Sequence, residues 1–123
     1  MNHVNVEEVE EQPDAVIGKF LVKSFTVLVL FYTGASHSYI SRGFVDKFKL
    51  PTLALRSPML VSSPGAKYMA SRGCFQMPLT IGRHVFCSNL IILESQGLDV
   101  ILGMDWLSMY GGNIDCASKS ILL

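Results

Sequence analysis

A chain of 123 residues, half of them apolar and with zero formal net charge, holds enough material for one compact domain with its own core. Its longest apolar stretch, Phe25 to Phe31, is interrupted by Thr26 and is far too short for a membrane-spanning helix, which leaves no membrane partner to expect. Charge is uneven, with five carboxylates and no Lys or Arg in residues 1–14, but the ten basic residues of the remainder are scattered, which argues against nucleic acid as a partner.

Residues 1–15 are acidic, poor in apolar side chains and contain Pro13, the composition of a flexible linker. They lack the basic and then apolar order of a signal peptide, so an intracellular, cytoplasmic setting is the expectation. The rest of the chain, 16–123, is expected to be one folded domain. The acidic start and the apolar stop at Ile121-Leu122-Leu123 both read as a piece cut from a longer polypeptide.

Val16 to Lys23 gives one short strand and Phe25 to Phe31 another. In the second, Val27, Val29 and Phe31 face one side and Leu28 and Leu30 the other. Both faces are apolar, so this strand belongs between layers. It stops at a run of small residues, Thr33-Gly34-Ala35-Ser36, which is the pattern of a buried strand delivering a tight loop. From Ser38 to Phe48 the apolar residues Ile40, Phe44 or Val45, and Phe48 recur at helical spacing, with a serine to cap the start and Pro51 beyond the end.

Pro64-Gly65 sits between two strand-like arms in Pro58 to Ala70. Proline sets φ at the second turn position and glycine permits positive φ at the third, so a type II hairpin turn is predicted. Cys74 to Ile81 and Val85 to Leu93 read as two further strands joined at Gly82-Arg83-His84, which leaves His84 exposed at a turn. A short apolar strand then ends at Gly103, a helix of about two turns buries Trp106 and Leu107, and Gly111-Gly112 stops it. Asn113 to Leu123 has the makings of a closing hairpin turning near Ala117-Ser118.

Cys74, Cys87 and Cys116 are odd in number and lack C-x-x-C spacing, and His3, His37 and His84 supply no partner motif. The expectation is buried free thiols, with no metal and no cofactor.

Two motifs, in order and spacing, carry a family resemblance. Phe31-Tyr32-Thr33-Gly34-Ala35-Ser36-His37-Ser38-Tyr39-Ile40-Ser41 is followed about sixty residues later by Asp99-Val100-Ile101-Leu102-Gly103-Met104-Asp105-Trp106-Leu107, with Ile114-Asp115-Cys116 trailing. The chain resembles, from Val16 to Leu123, the retropepsin-like aspartic protease domain of gypsy-type long-terminal-repeat retrotransposon polyproteins, especially those of plants. The resemblance implies an all-β fold, a small closed barrel with one or two short helices, pairing as a homodimer. In that family two Asp-Thr-Gly loops meet at the dimer axis, and their carboxylates share a proton and activate the water that attacks a peptide carbonyl.

Carried over by position, the resemblance gives Tyr32, Thr33 and Gly34 the catalytic loop, with Tyr32 standing where the family has its aspartate. Ala35 and Ser36 would touch substrate, Ser63, Pro64, Gly65 and Ala66 would form the flap over it, and Val100, Ile101, Leu102, Gly103 and Asp105 would support the loop from behind. Met104 stands where many retroviral members place an arginine that ties this helix to the loop by an ion pair, although gypsy-type members often share the methionine.

The consequence of Tyr32 follows from elementary acid–base chemistry. A phenol stays protonated near neutral pH and does not take a proton from water as a carboxylate does. In a dimer of identical chains one substitution removes both carboxylates. The reading is therefore a polyprotein-processing endopeptidase domain with impaired catalysis, its substrate the parent polyprotein. The alternative is a non-catalytic peptide-binding or dimerisation module derived from the same fold.

Overall fold

The computed structural model describes residues 3–5, 15–22, 24–63, 66–94, 98–111, 113–115 and 120–122. In chain order the elements are β1 (His3–Asn5), β2 (Ala15–Val22), β3 (Phe25–Tyr32), β4 (Tyr39–Ser41), α1 (Arg42–Phe48), β5 (Leu53–Ser63), β6 (Ala66–Ile81), β7 (His84–Leu93), β8 (Val100–Leu102), α2 (Met104–Met109), β9 (Asn113–Asp115) and β10 (Ser120–Leu122).

Six strands close on themselves. The order β2-β3-β8-β4-β7-β6 returns to β2 through the pairs Leu21↔Thr80 and Val22↔Leu79, while β5 extends the sheet outward from β6. Closure pairs the strand edges within the ring, which is how a small β domain avoids exposed backbone donors and acceptors. β1, β10 and β9 form a separate antiparallel sheet of three strands. The fold is thus the expected small closed barrel with two short helices.

Alternation along β3 explains the packing. Val27, Val29 and Phe31 are fully buried in the main core, and Leu30 anchors a smaller cluster with Leu28, Leu98 and Ile101 on the other face. Phe31 meets Phe20 edge-on at 5.5 Å and Trp106 at 6.0 Å, so the residue before Tyr32 is locked between strand and helix. The parallel pairing of β3 with β8, ending at Phe31↔Leu102, runs the two strands side by side toward the same end of the barrel.

Three differences from the sequence reading have physical causes. Helical spacing begins at Ser38, yet Tyr39–Ser41 form strand β4, because the barrel pairs them with Ile91–Leu93 on one side and with β8 on the other. The helix starts only at Arg42, where Ser41 Oγ accepts a hydrogen bond from the Phe44 amide, and it ends at Lys49 in the left-handed region. Second, β6 is one strand of 16 residues, bent by a bulge in which Gln76 adopts a φ of 54° and its amide donates to Asn89 Oδ1 at 3.0 Å. Third, Cys74 is buried as expected but Cys87 is exposed, because it lies on the solvent side of β7.

The stretch read as an acidic linker, 1–15, includes β1, and its last residue, Ala15, already belongs to β2. Residues 6–14, Cys116 and the turn expected at Ala117-Ser118 lie outside the described residues.

Candidate active-site groove

The Thr-Gly-Ala-Ser loop leaves the barrel at the end of β3 and rejoins it at β4. It is held from behind by α2 through the peptide groups themselves. The Met104 amide donates to the Ala35 carbonyl at 2.7 Å and the Asp105 amide to the Ser36 carbonyl at 3.3 Å, so two amides of the first turn of α2, which have no partner within a helix, find one in the loop. This approach requires Gly103: a Cβ there would overlap the His37 carbonyl oxygen and sit 2.6 Å from that of Ala35.

Ser38 completes the attachment. It is 1% exposed, its Oγ donates to Asp105 Oδ1 at 2.7 Å, and the same oxygen accepts from the Gly103 amide at 3.0 Å. Asp105 Oδ1 also accepts from the Trp106 amide at 2.7 Å. These bonds join loop and helix without the arginine ion pair used by many retroviral members, and Met104 is left partly exposed.

Gly103→Ala is expected to destabilise the fold by roughly 1–3 kcal/mol, the range for forced overpacking, because both atoms it meets are backbone and cannot rotate away. Chemical denaturation of the variant against the parent checks it. Ser38→Ala leaves a buried amide and a carboxylate oxygen short of a partner and is expected to cost about 1–3 kcal/mol. Ser38→Thr, which keeps the hydroxyl, should recover much of that loss in the same denaturation experiment.

Tyr32 closes β3 opposite Ala15 and is 37% exposed, so it faces solvent rather than the core. Its ring folds back over the loop: a Cβ on Gly34 would overlap Tyr32 Cζ and Oη and lie 2.7 Å from Cε1. Thr33 and Gly34 form the exposed turn, and the Ala35 amide donates to the Tyr32 carbonyl at 3.3 Å.

Tyr32, Gly34, Ala35 and Ser36 all line one open groove of about 480 Å³, together with His37, Tyr39, Met59, Leu60, Val61, Leu93 and Ile101. The groove thus gathers loop residues expected at the site and adds several that the motif did not mark. Ser36 Oγ lies 3.0 Å from His37 Nδ1. Burial, and after it the charge of Asp105, pushes the Tyr39 phenol above its ordinary range, so it remains a protonated donor.

Among the described residues, none lining this groove carries a carboxylate. Asp105 is engaged as described, and Asp99 through Oδ2, which accepts from the Leu28 amide at 2.8 Å. Among the described residues no group of three or more His, Cys, Asp or Glu side chains is arranged to hold a metal ion, and no helix is long and apolar enough to cross a membrane.

Val100 and Leu102 are buried in β8, the strand between β3 and β4, while Ile101 is half-buried and reaches the groove. Ser63 and Ala66 are the last paired residues of the β5–β6 hairpin. Pro64 and Gly65, expected at its tip, lie outside the described residues. Met59 to Val61, on the arm leading to that tip, line the groove. His84 is exposed at the start of β7, away from the groove residues. Ser38 and Tyr39 were legible only as part of the predicted helix; their signal was the serine and the aromatic ring standing between loop and helix cap.

Comparison with known proteins agrees with this geometry. The model of the family described as retroviral aspartyl protease matches residues 1–123. Among solved structures, the retroviral protease-like domain of Ddi1 from Leishmania major is similar, with a TM-score of 0.69 at 14% identity, covering 91% of this chain and 90% of that one. At such identity the likeness is one of fold. A search of curated protein sequences found no match. A six-stranded barrel that presents a Thr-Gly-Ala-Ser loop, together with a family match along the whole sequence, settles the assignment: the chain belongs to the retroviral aspartyl protease family.

Proposed function

We propose that this chain is the protease domain of a gypsy-type retrotransposon polyprotein in which Tyr32 has silenced peptide-bond hydrolysis while the substrate groove persists. One observation carries the reading: the groove contains the loop and the apolar walls a bound peptide needs but, among the described residues, no carboxylate. In the proposed homodimer two such loops meet, the hydroxyl of Thr33 bonds across them, and the β5–β6 hairpin covers the parent polyprotein as substrate. The setting would be intracellular, within the particle such elements assemble.

The chemistry that remains is binding without activation of water. A phenol donates a hydrogen bond to a peptide carbonyl, but near neutral pH it has no conjugate base with which to deprotonate water. Asp99 and Asp105 do not replace it, since both serve structure. The test is cleavage of a peptide library by the chain and by Tyr32→Asp.

A second reading, a peptide-binding or dimerisation module without catalysis, is favoured by the persistence of the groove itself. Affinity of the unaltered chain for extended peptides tests this module: no detectable binding sinks it.

A further inference from the structure

The loop that begins at Tyr32 is pinned to Leu102, Gly103, Met104 and Asp105 in turn. At its entry Phe31 pairs with Leu102. At its exit Ser38 Oγ accepts from the Gly103 amide at 3.0 Å. Between them the Ala35 carbonyl takes the Met104 amide and the Ser36 carbonyl the Asp105 amide. Entry and exit are thus referred to two adjacent residues, and the group at position 32 stands one residue beyond the entry.

All but one of these pins are peptide groups and persist whatever side chain is exchanged. The exception is the Ser38 hydroxyl. Its proton goes to Asp105 Oδ1 at 2.7 Å, and that oxygen is itself held by the Trp106 amide, which turns a lone pair of Oγ toward Gly103. Ser38 is buried, so water does not compete for either bond. Its backbone has a separate hold, because its carbonyl accepts from the Ile91 amide at 2.9 Å. Removing the hydroxyl therefore releases the end of the loop from α2 while the chain stays docked on β7.

We propose that Ser38 is a positioning residue for the group at position 32: through Gly103 it fixes where the loop stands in the groove, and so how closely two such loops approach in the dimer. This role, which rests on the protease reading above, is separate from the hydroxyl's contribution to stability, since it concerns chains that are fully folded. Misplacing a reacting group by about 1 Å can cost about 10²-fold in rate. A carboxylate pair also needs closeness for its chemistry. Two carboxylates share one proton only while they are near each other, and the same coupling drives their two apparent pKa values apart.

The test places Ser38→Ala and Ser38→Thr in the full chain carrying Tyr32→Asp. Cleavage of one fluorogenic peptide is followed well below each variant's unfolding midpoint, with active sites counted by titration with a pepstatin-type inhibitor. Against Tyr32→Asp alone, Ser38→Ala is expected to lower kcat per active site about 10- to 10²-fold. KM should change by less than about threefold, because Ser38 is not among the residues lining the groove. The bell of kcat/KM against pH should narrow as the carboxylates lose part of their coupling. Ser38→Thr, which retains the hydroxyl, should restore both.

If Ser38→Ala cuts at the kcat of Tyr32→Asp per active site and with the same pH profile, Ser38 serves the fold alone; the positioning role is overturned and the protease reading stands. A fall that Ser38→Thr does not repair, or a rise in KM at unchanged kcat, overturns it as well. If Tyr32→Asp itself cuts nothing, the protease reading falls and this role with it.

Discussion

Tyr32→Asp is expected to turn a chain without measurable peptidase activity into one that cuts peptides, with a gain in kcat/KM of at least about 10²-fold over the unaltered chain. The magnitude follows from general acid–base catalysis, worth about 10² to 10⁴ in rate, and in the proposed dimer one substitution restores both partners of the water-activating pair. Geometry favours the replacement. The Tyr32 side chain is partly exposed and its ring lies over Gly34, so the shorter carboxylate needs no room from the core. The backbone that would position it is already fixed by the Met104–Ala35 and Asp105–Ser36 hydrogen bonds. Tyr32→Asn is the control, since it shares the size of Asp and lacks the acid. Fluorogenic peptide cleavage, with pepstatin-type inhibition to identify the class, checks both variants, and only the Asp form should cut.

Trp106→Ala is expected to cost about 3–5 kcal/mol, enough to unfold much of the population of a domain of ordinary stability. Trp106 is 3% exposed and packs against Phe86 at 5.3 Å, Tyr110 at 5.0 Å and Phe31 at 6.0 Å. Its Nε1 donates to the buried Ser88 Oγ at 2.9 Å. Truncation therefore leaves a large cavity and also takes the donor from a buried hydroxyl. Because Phe31 immediately precedes Tyr32, loosening this cluster should also loosen the loop. Trp106→Phe retains most of the packing and loses the hydrogen bond, so its midpoint in urea should fall between those of the parent and Trp106→Ala.

These two substitutions lie on motifs that were legible in the sequence. The apolar alternation of β3 and its stop at Thr33-Gly34 mark a strand and a turn by local physics alone, and the helix that buries Trp106 and Leu107 announces itself through apolar spacing and a terminal glycine. Gly111, with a φ of 67°, ends it. The hairpin arms around Pro64-Gly65 were similarly visible, because turn chemistry is local.

What escaped was everything decided by distant partners. Ser38 and Asp105 are 67 positions apart, and nothing in either neighbourhood says that one hydroxyl would bridge that carboxylate and the Gly103 amide. Gly103 reads as the end of a strand, whereas its lack of a side chain matters for the close approach of the loop. Tyr39–Ser41 carry helical spacing but are claimed by β7 and β8, a case of sheet pairing overriding local propensity. The bulge at Gln76 depends on a register difference between β6 and β7 that no composition rule anticipates. The groove was half legible: the motif marks Tyr32 to Ser36, while Met59, Leu60, Val61 and Leu93 join them only through pairing of distant strands, β5 with β6 and β7 with β4.

With Tyr32 in place the chain should be chemically silent. The most direct measurement is prolonged incubation of the unaltered, folded chain with a diverse peptide library at mildly acidic pH, with products read by mass spectrometry. No cuts beyond those in buffer alone are expected. Reproducible cuts that track the purified chain and are abolished by a pepstatin-type inhibitor would contradict this, and would mean that another group in this groove supplies the acid–base chemistry that Tyr32 lacks.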